Sequence, residues 1–194
     1  MILSNVELFA ALDDRRPIVR PEPKPRLPTV GQAHSPYDTH SVDLSLGDEI
    51  TVPKKGQITY DLTKPGSIAD TIRQHSDTFK ITELQPFCLE PHCFVLGRTH
   101  EHIELPILRD RPACLAARIE GKSSRARFGI LIHFTAPTVH PGFAGTLTLE
   151  MINLGPASFI LRPGMAIAQL IVEEVKGCPI ENPSEFQGQR NPAG

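Results

Sequence analysis

Lys122, Ser123 and Ser124 follow Gly121, and Arg125 and Arg127 come next. An ammonium, two hydroxyls and two guanidinium groups beside a residue that allows a tight turn are suited to receive an anion, above all a phosphate, with help from backbone N–H groups. Further on, Leu147-Thr148-Leu149-Glu150-Met151-Ile152 places one carboxylate in an apolar run. Period 2 groups Glu150 with Thr148 and Ile152 on one strand face. A partly buried carboxylate needs a partner or a proton-transfer role. Anion receptors combined with an acid/base carboxylate point to nucleotide chemistry. Two plainer readings stand beside it. Gly-Lys-Ser-Ser also occurs in ordinary exposed turns and here lacks the other P-loop glycine spacing, and Arg127 with Glu150 could form a structural ion pair.

Other polar clusters carry less. His100 and His102 share a strand face, but Thr99, Glu101 and Glu104 around them suggest a solvated strand end more than a metal site. His92 beside Cys93 is similarly weak, and His133 ends an apolar strand as a core histidine would. Cys88 and Cys93 are five positions apart and the chain contains no CxxC pair, so the cysteine pairing of a zinc site is missing. With no secretory leader, Cys88, Cys93, Cys114 and Cys178 are expected to be reduced thiols of a cytoplasmic protein.

The elements that must position these groups look like short strands. The chain has 194 residues, 19 prolines, 14 glycines, no tryptophan and 6% aromatic residues, a composition favouring strands and turns. Its length suits one domain. A formal charge of −2 leaves no electrostatic footprint for nucleic acid, and no apolar stretch is long enough for a membrane helix. Ser4-Asn5-Val6-Glu7 reads as a capping box opening a helix through about Leu12, with Ile2, Val6, Phe9 and Leu12 near one face. Pro17, Pro21, Pro23, Pro25, Pro28 and Pro36 make 17–36 a surface loop, not a strand. Ser41 to Gly47 alternates as a strand ending at a glycine turn, and Ser67 to Phe79 reads as one small inserted helix capped by Ser67, with Ile68 and Ile72 on one face. From Phe87 on, apolar runs recur between turn signals, which implies a sandwich or barrel of the jelly-roll kind.

Glu120 to Gly129, Thr135-Ala136, Pro141-Gly142-Phe143, Thr148-Leu149-Glu150 with Asn153, and Arg162 to Leu170 resemble the deoxycytidine triphosphate deaminase family, related to the trimeric dUTPases. Ser41 to Gly47, Phe87 to Pro106, and Ser184 to Gln189 with Pro192 extend the similarity over nearly the whole chain. The resemblance implies a mainly β, distorted jelly-roll with short peripheral helices, assembled as a homotrimer with active sites at subunit interfaces. It implies hydrolysis of a cyclic-amidine C–N bond, dCTP giving dUTP and ammonia, with a bifunctional branch continuing to dUMP. On the matching positions Glu150 would be the general acid/base, and Ser123 and Arg127 would orient the attacking water. Lys122, Ser124 and Gln189 would face the phosphates, with Arg125 beside them. Thr135 and Ala136 would lie near the pyrimidine, with Thr148 and Leu149 lining the same site. Gln169 would lie at the phosphate and sugar end, and Phe186 in a tail, 184–194, that closes the site. Magnesium would enter only with the triphosphate, and no zinc is called for.

Two departures qualify that carry-over. Relatives usually have an aspartate at His140, where it accepts the deoxyribose 3′-hydroxyl and, in the dUTPase branch, activates water. An imidazole bonds a hydroxyl but is a poorer base for diphosphate cleavage, so loss of the second activity is expected. Glu185 stands where relatives carry a phosphate-facing lysine, and a carboxylate there repels a triphosphate. Lys176 or Arg190 would have to substitute, or the ligand carries less phosphate or a modified sugar. The expectations are therefore a metal-independent deaminase of dCTP or a close analogue. The alternatives are a bifunctional enzyme forming dUMP and a non-catalytic nucleotide-binding regulator.

Overall fold

A computed structural model describes residues 1–29, 31, 34–56, 59–61, 67–182 and 187–193. In chain order they form α1 (Asn5–Asp13), β1 (Ile18–Arg20), β2 (Val42–Pro53), α2 (Ile68–Gln74), β3 (Ser76–Lys80), β4 (Phe87–Leu89), β5 (Phe94–Glu104), β6 (Ala113–Gly121), α3 (Ser123–Ala126), β7 (Ile130–Ile132), β8 (Thr138–Val139), β9 (Ala144–Asn153), β10 (Phe159–Leu161) and β11 (Ala166–Lys176). None of the described helices is long and apolar enough to cross a membrane.

One nine-stranded sheet runs in the order β7-β9-β5-β2-β11-β6-β8, with β1 added to β5 and β3 to β2; β10 and β4 pair separately. The pairings between named strands are antiparallel. The long strand β2 serves both halves of the curl. Its first residues pair with β11, and from Leu46 onward it pairs with β5, with the register shifting between Leu46 and Ile50. That shift lets the sheet bend into a half-barrel around Leu44, Leu46, Ile50, Ile103, Leu149, Met151, Leu161 and Leu170, all fully or almost fully buried. The result is mainly β with short helices at the periphery, as the resemblance implies.

Several expectations change. The strand beginning near Ser41 does not end at Gly47 but continues to Pro53. A Cβ at Gly47 would lie 3.1 Å from the Arg98 carbonyl oxygen, so this glycine allows a close strand approach instead of making a turn. Residues 17–36 are not wholly a loop. Pro17 and Pro21 bracket Ile18–Arg20, whose own N–H groups are intact, and these three residues form β1 along β5. In α1, the Ser4 hydroxyl accepts from the Glu7 N–H as the capping box requires, but the fully buried face is Leu8 and Ala11. Phe9 and Leu12 are partly buried, while Ile2 and Val6 are exposed. Thr99 and Glu101 are buried, so the inner face of β5 is not a solvated strand end.

Candidate active site

From Leu147 onward β9 alternates strictly. Leu147, Leu149 and Met151 enter the core, while Thr148, Glu150 and Ile152 occupy the opposite, half-buried face. Thr148 and Glu150 thereby enter a cavity of about 880 Å³, closed by Ala136, by the segment around His140 and Phe143, by Ile68 and Ile72 of α2, and by Gln187, Gln189 and Pro192. One carboxylate oxygen of Glu150, Oε2, is buried with no hydrogen-bond partner among the described residues. No ion pair joins it to Arg127, so the structural-pair reading of these two residues does not hold.

The backbone beside Glu150 is fixed from the neighbouring turn. His133, at φ +54°, donates its N–H to the Glu150 carbonyl oxygen at 2.7 Å, and its Nε2 lies 2.6 Å from the Ala136 carbonyl oxygen. His133 therefore pins the Thr135-Ala136 segment against the strand that carries the carboxylate. On the far rim, the Phe143 N–H donates to the His140 carbonyl oxygen at 3.2 Å, and Gly142 has φ +89°. Pro141 followed by a positive-φ glycine is the chemistry of a type II turn, which holds His140 at the mouth.

The C-terminal segment is laid along the start of β9. Gly188 donates to the Ala144 carbonyl oxygen at 2.9 Å, Thr146 donates to that of Gln189 at 3.1 Å, and the Gln189 side-chain amide donates to the Thr146 carbonyl oxygen at 2.7 Å. Gly145 permits this approach, because a Cβ there would lie 3.0 Å from the Gln189 carbonyl oxygen. The Gln189 amide, expected at the phosphates, is thus committed to Thr146 and, through its oxygen, to the Thr148 hydroxyl at 3.4 Å. Phe186, Ser184 and Glu185 lie outside the described residues.

The cations form a separate group. Lys122 pairs with Asp43 of β2, and Gln169 on β11 is in register with that same Asp43 and with Glu120. Ser123 and Ser124 open α3, a four-residue helix that the sequence pattern did not signal, and they are exposed together with Arg127 and Thr135. Arg125 has a buried Nε without a partner among the described residues. Of the site residues expected from sequence, Ala136, His140, Thr148, Glu150 and Gln189 line the cavity. Lys122, Ser123, Ser124, Arg125, Arg127, Thr135 and Gln169 do not. Leu149 points into the core, leaving only its backbone available to a ligand. Among the described lining residues are the carboxylates Glu104, Glu150 and Glu181 but no lysine or arginine. This cavity can take a polar, neutral ring, but it offers no cation to a triphosphate.

Sequence reasoning missed the apolar wall from Ile68, Ile72 and Ile107 and the carboxylate of Glu104. The four-residue spacing of Ile68 and Ile72 was legible as a helix face, but nothing local said what that face would cover.

The family model described as dCTP deaminase-like matches residues 2–175. The chain is 33% identical to the dCTP deaminase of Thermomicrobium roseum over 99% of its length and 91% of that protein's. It is 35% identical to the dCTP deaminase of Natronomonas pharaonis, covering 99% and 92%. It is 34% identical to a dUMP-forming dCTP deaminase of Dictyoglomus turgidum, again covering 99% and 92%. Among solved structures, the 2′-deoxycytidine 5′-triphosphate deaminase of Agrobacterium tumefaciens shares the fold, with a TM-score of 0.60 and 18% identity over 90% of this chain. This chain spans about half of that one, 47%.

Proposed function

Since this chain belongs to the dCTP deaminase family, we propose that it hydrolyses dCTP to dUTP and ammonia, with Glu150 as the general acid/base. The observation that carries this reading is the buried Oε2 of Glu150, without a hydrogen-bond partner among the described residues, on the wall of a cavity large enough for a nucleoside. An unpartnered buried oxygen is costly unless a ligand or water completes it. In the proposed reaction Glu150 takes a proton from water as the oxygen attacks C4 of cytosine and delivers it to N3. It then passes the second proton to the amino group, and ammonia leaves as the carbonyl forms. Ala136 and the backbone of Leu149 hold the pyrimidine, with Thr148 beside them and Thr135 next in the chain to Ala136, and His140 meets the sugar.

The separation of acid wall and cations supports a site shared between copies. Lys122, Ser124, Arg125 and Gln169 of a neighbouring chain would receive the triphosphate and its magnesium, while Ser123 and Arg127 would hold the water. Around α3 and β7, Phe128, Phe134 and Leu154 are exposed apolar side chains beside these cations, as a contact with a second copy would require. A homotrimer is the assembly proposed.

The product distinguishes this reading from its nearest alternative. The dUMP-forming name of the Dictyoglomus turgidum relative makes a bifunctional enzyme the second reading. His140 supports the first, because a neutral imidazole has one acceptor nitrogen where a carboxylate has two oxygens, and so cannot hold the 3′-hydroxyl and a water together. With dCTP as substrate, dUTP should accumulate without pyrophosphate. Stoichiometric pyrophosphate and dUMP would establish the bifunctional enzyme instead.

A further inference from the structure

Cys114 and Cys178 are far apart in sequence, but the fold brings them together. Cys114 lies on β6, 2% exposed, opposite Val175 of β11. β11 ends at Lys176, opposite Ala113. Gly177, at φ +85°, then turns the chain back, donating its N–H to the Pro112 carbonyl oxygen at 3.3 Å and forming a bridge with Ala113. The next residue, Cys178, is exposed, its thiol lying 3.9 Å from the Pro179 carbonyl oxygen; the parallel bridge between Ala113 and Gly177 sets it beside Cys114, and both thiols are free. Arg109 and Glu181 pair across the same junction at 3.8 Å. This is where the body of the fold passes into the segment whose Gln187 and Gln189 wall the cavity.

We propose that Cys114 and Cys178 form a reversible intramolecular disulfide on exposure to hydrogen peroxide, tying the base of the C-terminal tail to β6. The exposed Cys178 sulfur attacks a peroxide oxygen, the O–O bond breaks, and a sulfenic acid and one water result. The Cys114 sulfur then displaces the sulfenic oxygen as a second water, forming the S–S bond. Two thiols lose two electrons and two protons, and the peroxide becomes two waters. Because the second step is intramolecular, solvent need not reach Cys114. Local desolvation and the neighbouring Cys114 raise the Cys178 thiol above its ordinary range, Arg109 opposes this and Glu181 adds to it. The reaction should therefore quicken as the pH rises and more thiolate forms. Cys88, also exposed, hydrogen-bonds Glu90 and provides a comparison thiol.

The test is peptide mapping of the intact protein after peroxide treatment and alkylation. Trypsin spares the Arg111-Pro112 bond and so releases peptides 110–118 and 177–190. They should appear joined, lighter by two hydrogens than the sum of the separate peptides, and separate again in dithiothreitol. Cys178→Ser, at an exposed position, should abolish the joined species. In Cys114→Ser a dimedone-reactive sulfenic acid should persist at Cys178. Oxidation of Cys178 to sulfinic acid in the native sequence while Cys114 stays alkylatable, or disulfides only between chains, would overturn the proposal. Amide hydrogen exchange in 179–193 should slow in the oxidised form, and unchanged exchange would refute the anchoring of the tail. These readouts need no substrate and are independent of the deaminase reading.

Discussion

Glu150 was legible in the sequence because β9 alternates strictly from Leu147 onward, and a polar residue between Leu149 and Met151 can only face away from the core. Its substitution by glutamine keeps the shape and removes the proton acceptor. We expect kcat to fall by about 10²- to 10⁴-fold while dCTP affinity is retained, measured by ammonia release and equilibrium binding. Glu101 was misread for an equally physical reason: flanked by His100 and His102, it looks like part of a polar strand end. It occupies an inward position of β5, 3% exposed, where its Oε2 accepts the Ser45 N–H at 2.9 Å. Burial pushes its carboxyl above the ordinary range, with the Ser45 bonds and His100 pulling the other way. A raised acid contributes its stability below the unfolded value of 4.5 and loses it as pH rises through the folded value. Glu101→Gln should thus raise the melting temperature at pH 7 and give no gain at pH 4, which thermal unfolding at the two pH values would check.

Elements with clear periodicity or caps were readable, including α1, α2, β6, β7, β9, β10 and β11, while β5 showed only as its two apolar ends. β1 and α3 were not. Three residues between prolines and a four-residue helix are too short for any period to show. What holds α3 in place is also non-local. A Cβ on Gly155 would lie 2.1 Å from the Phe128 carbonyl oxygen, so the turn after α3 rests directly on the end of β9. Asn153 fastens that end. Fully buried, it donates to the Leu89 and Ala157 carbonyl oxygens at 3.1 and 2.8 Å and accepts the Gly155 N–H at 2.9 Å. Asn153→Ala would leave buried backbone groups unpaired and should cost about 2–4 kcal/mol in denaturant unfolding, with activity falling in the surviving folded fraction as α3 loosens. A change within about 0.5 kcal/mol would show that water replaces the amide.

At the scale of the whole molecule, composition and turn spacing identified a β fold, but no pattern in one chain could show that the carboxylate and the cations lie apart. That division appears only in the fold, where Glu150 lines an acidic cavity while Lys122 is paired with Asp43 outside it. If copies complete one another, light scattering should give three times the 21.4 kDa chain mass. Mixing inactive Glu150→Gln and Arg127→Ala proteins under conditions of subunit exchange should restore part of the activity, since some sites then combine both native residues. A monomer, or mixtures that stay inactive despite exchange, would place each site within one chain.

The most direct measurement is ammonia release with product mass from dCTP and magnesium, run beside CTP, dCMP, a 5-substituted dCTP and dUTP, with Glu150→Gln as control. The expected result is one ammonia for each dCTP consumed, a product with a carbonyl oxygen in place of the amino group and the triphosphate intact, and no comparable turnover by the variant. Binding of cytosine nucleotides without ammonia from any of them, or equal turnover by Glu150→Gln, would contradict the proposed function.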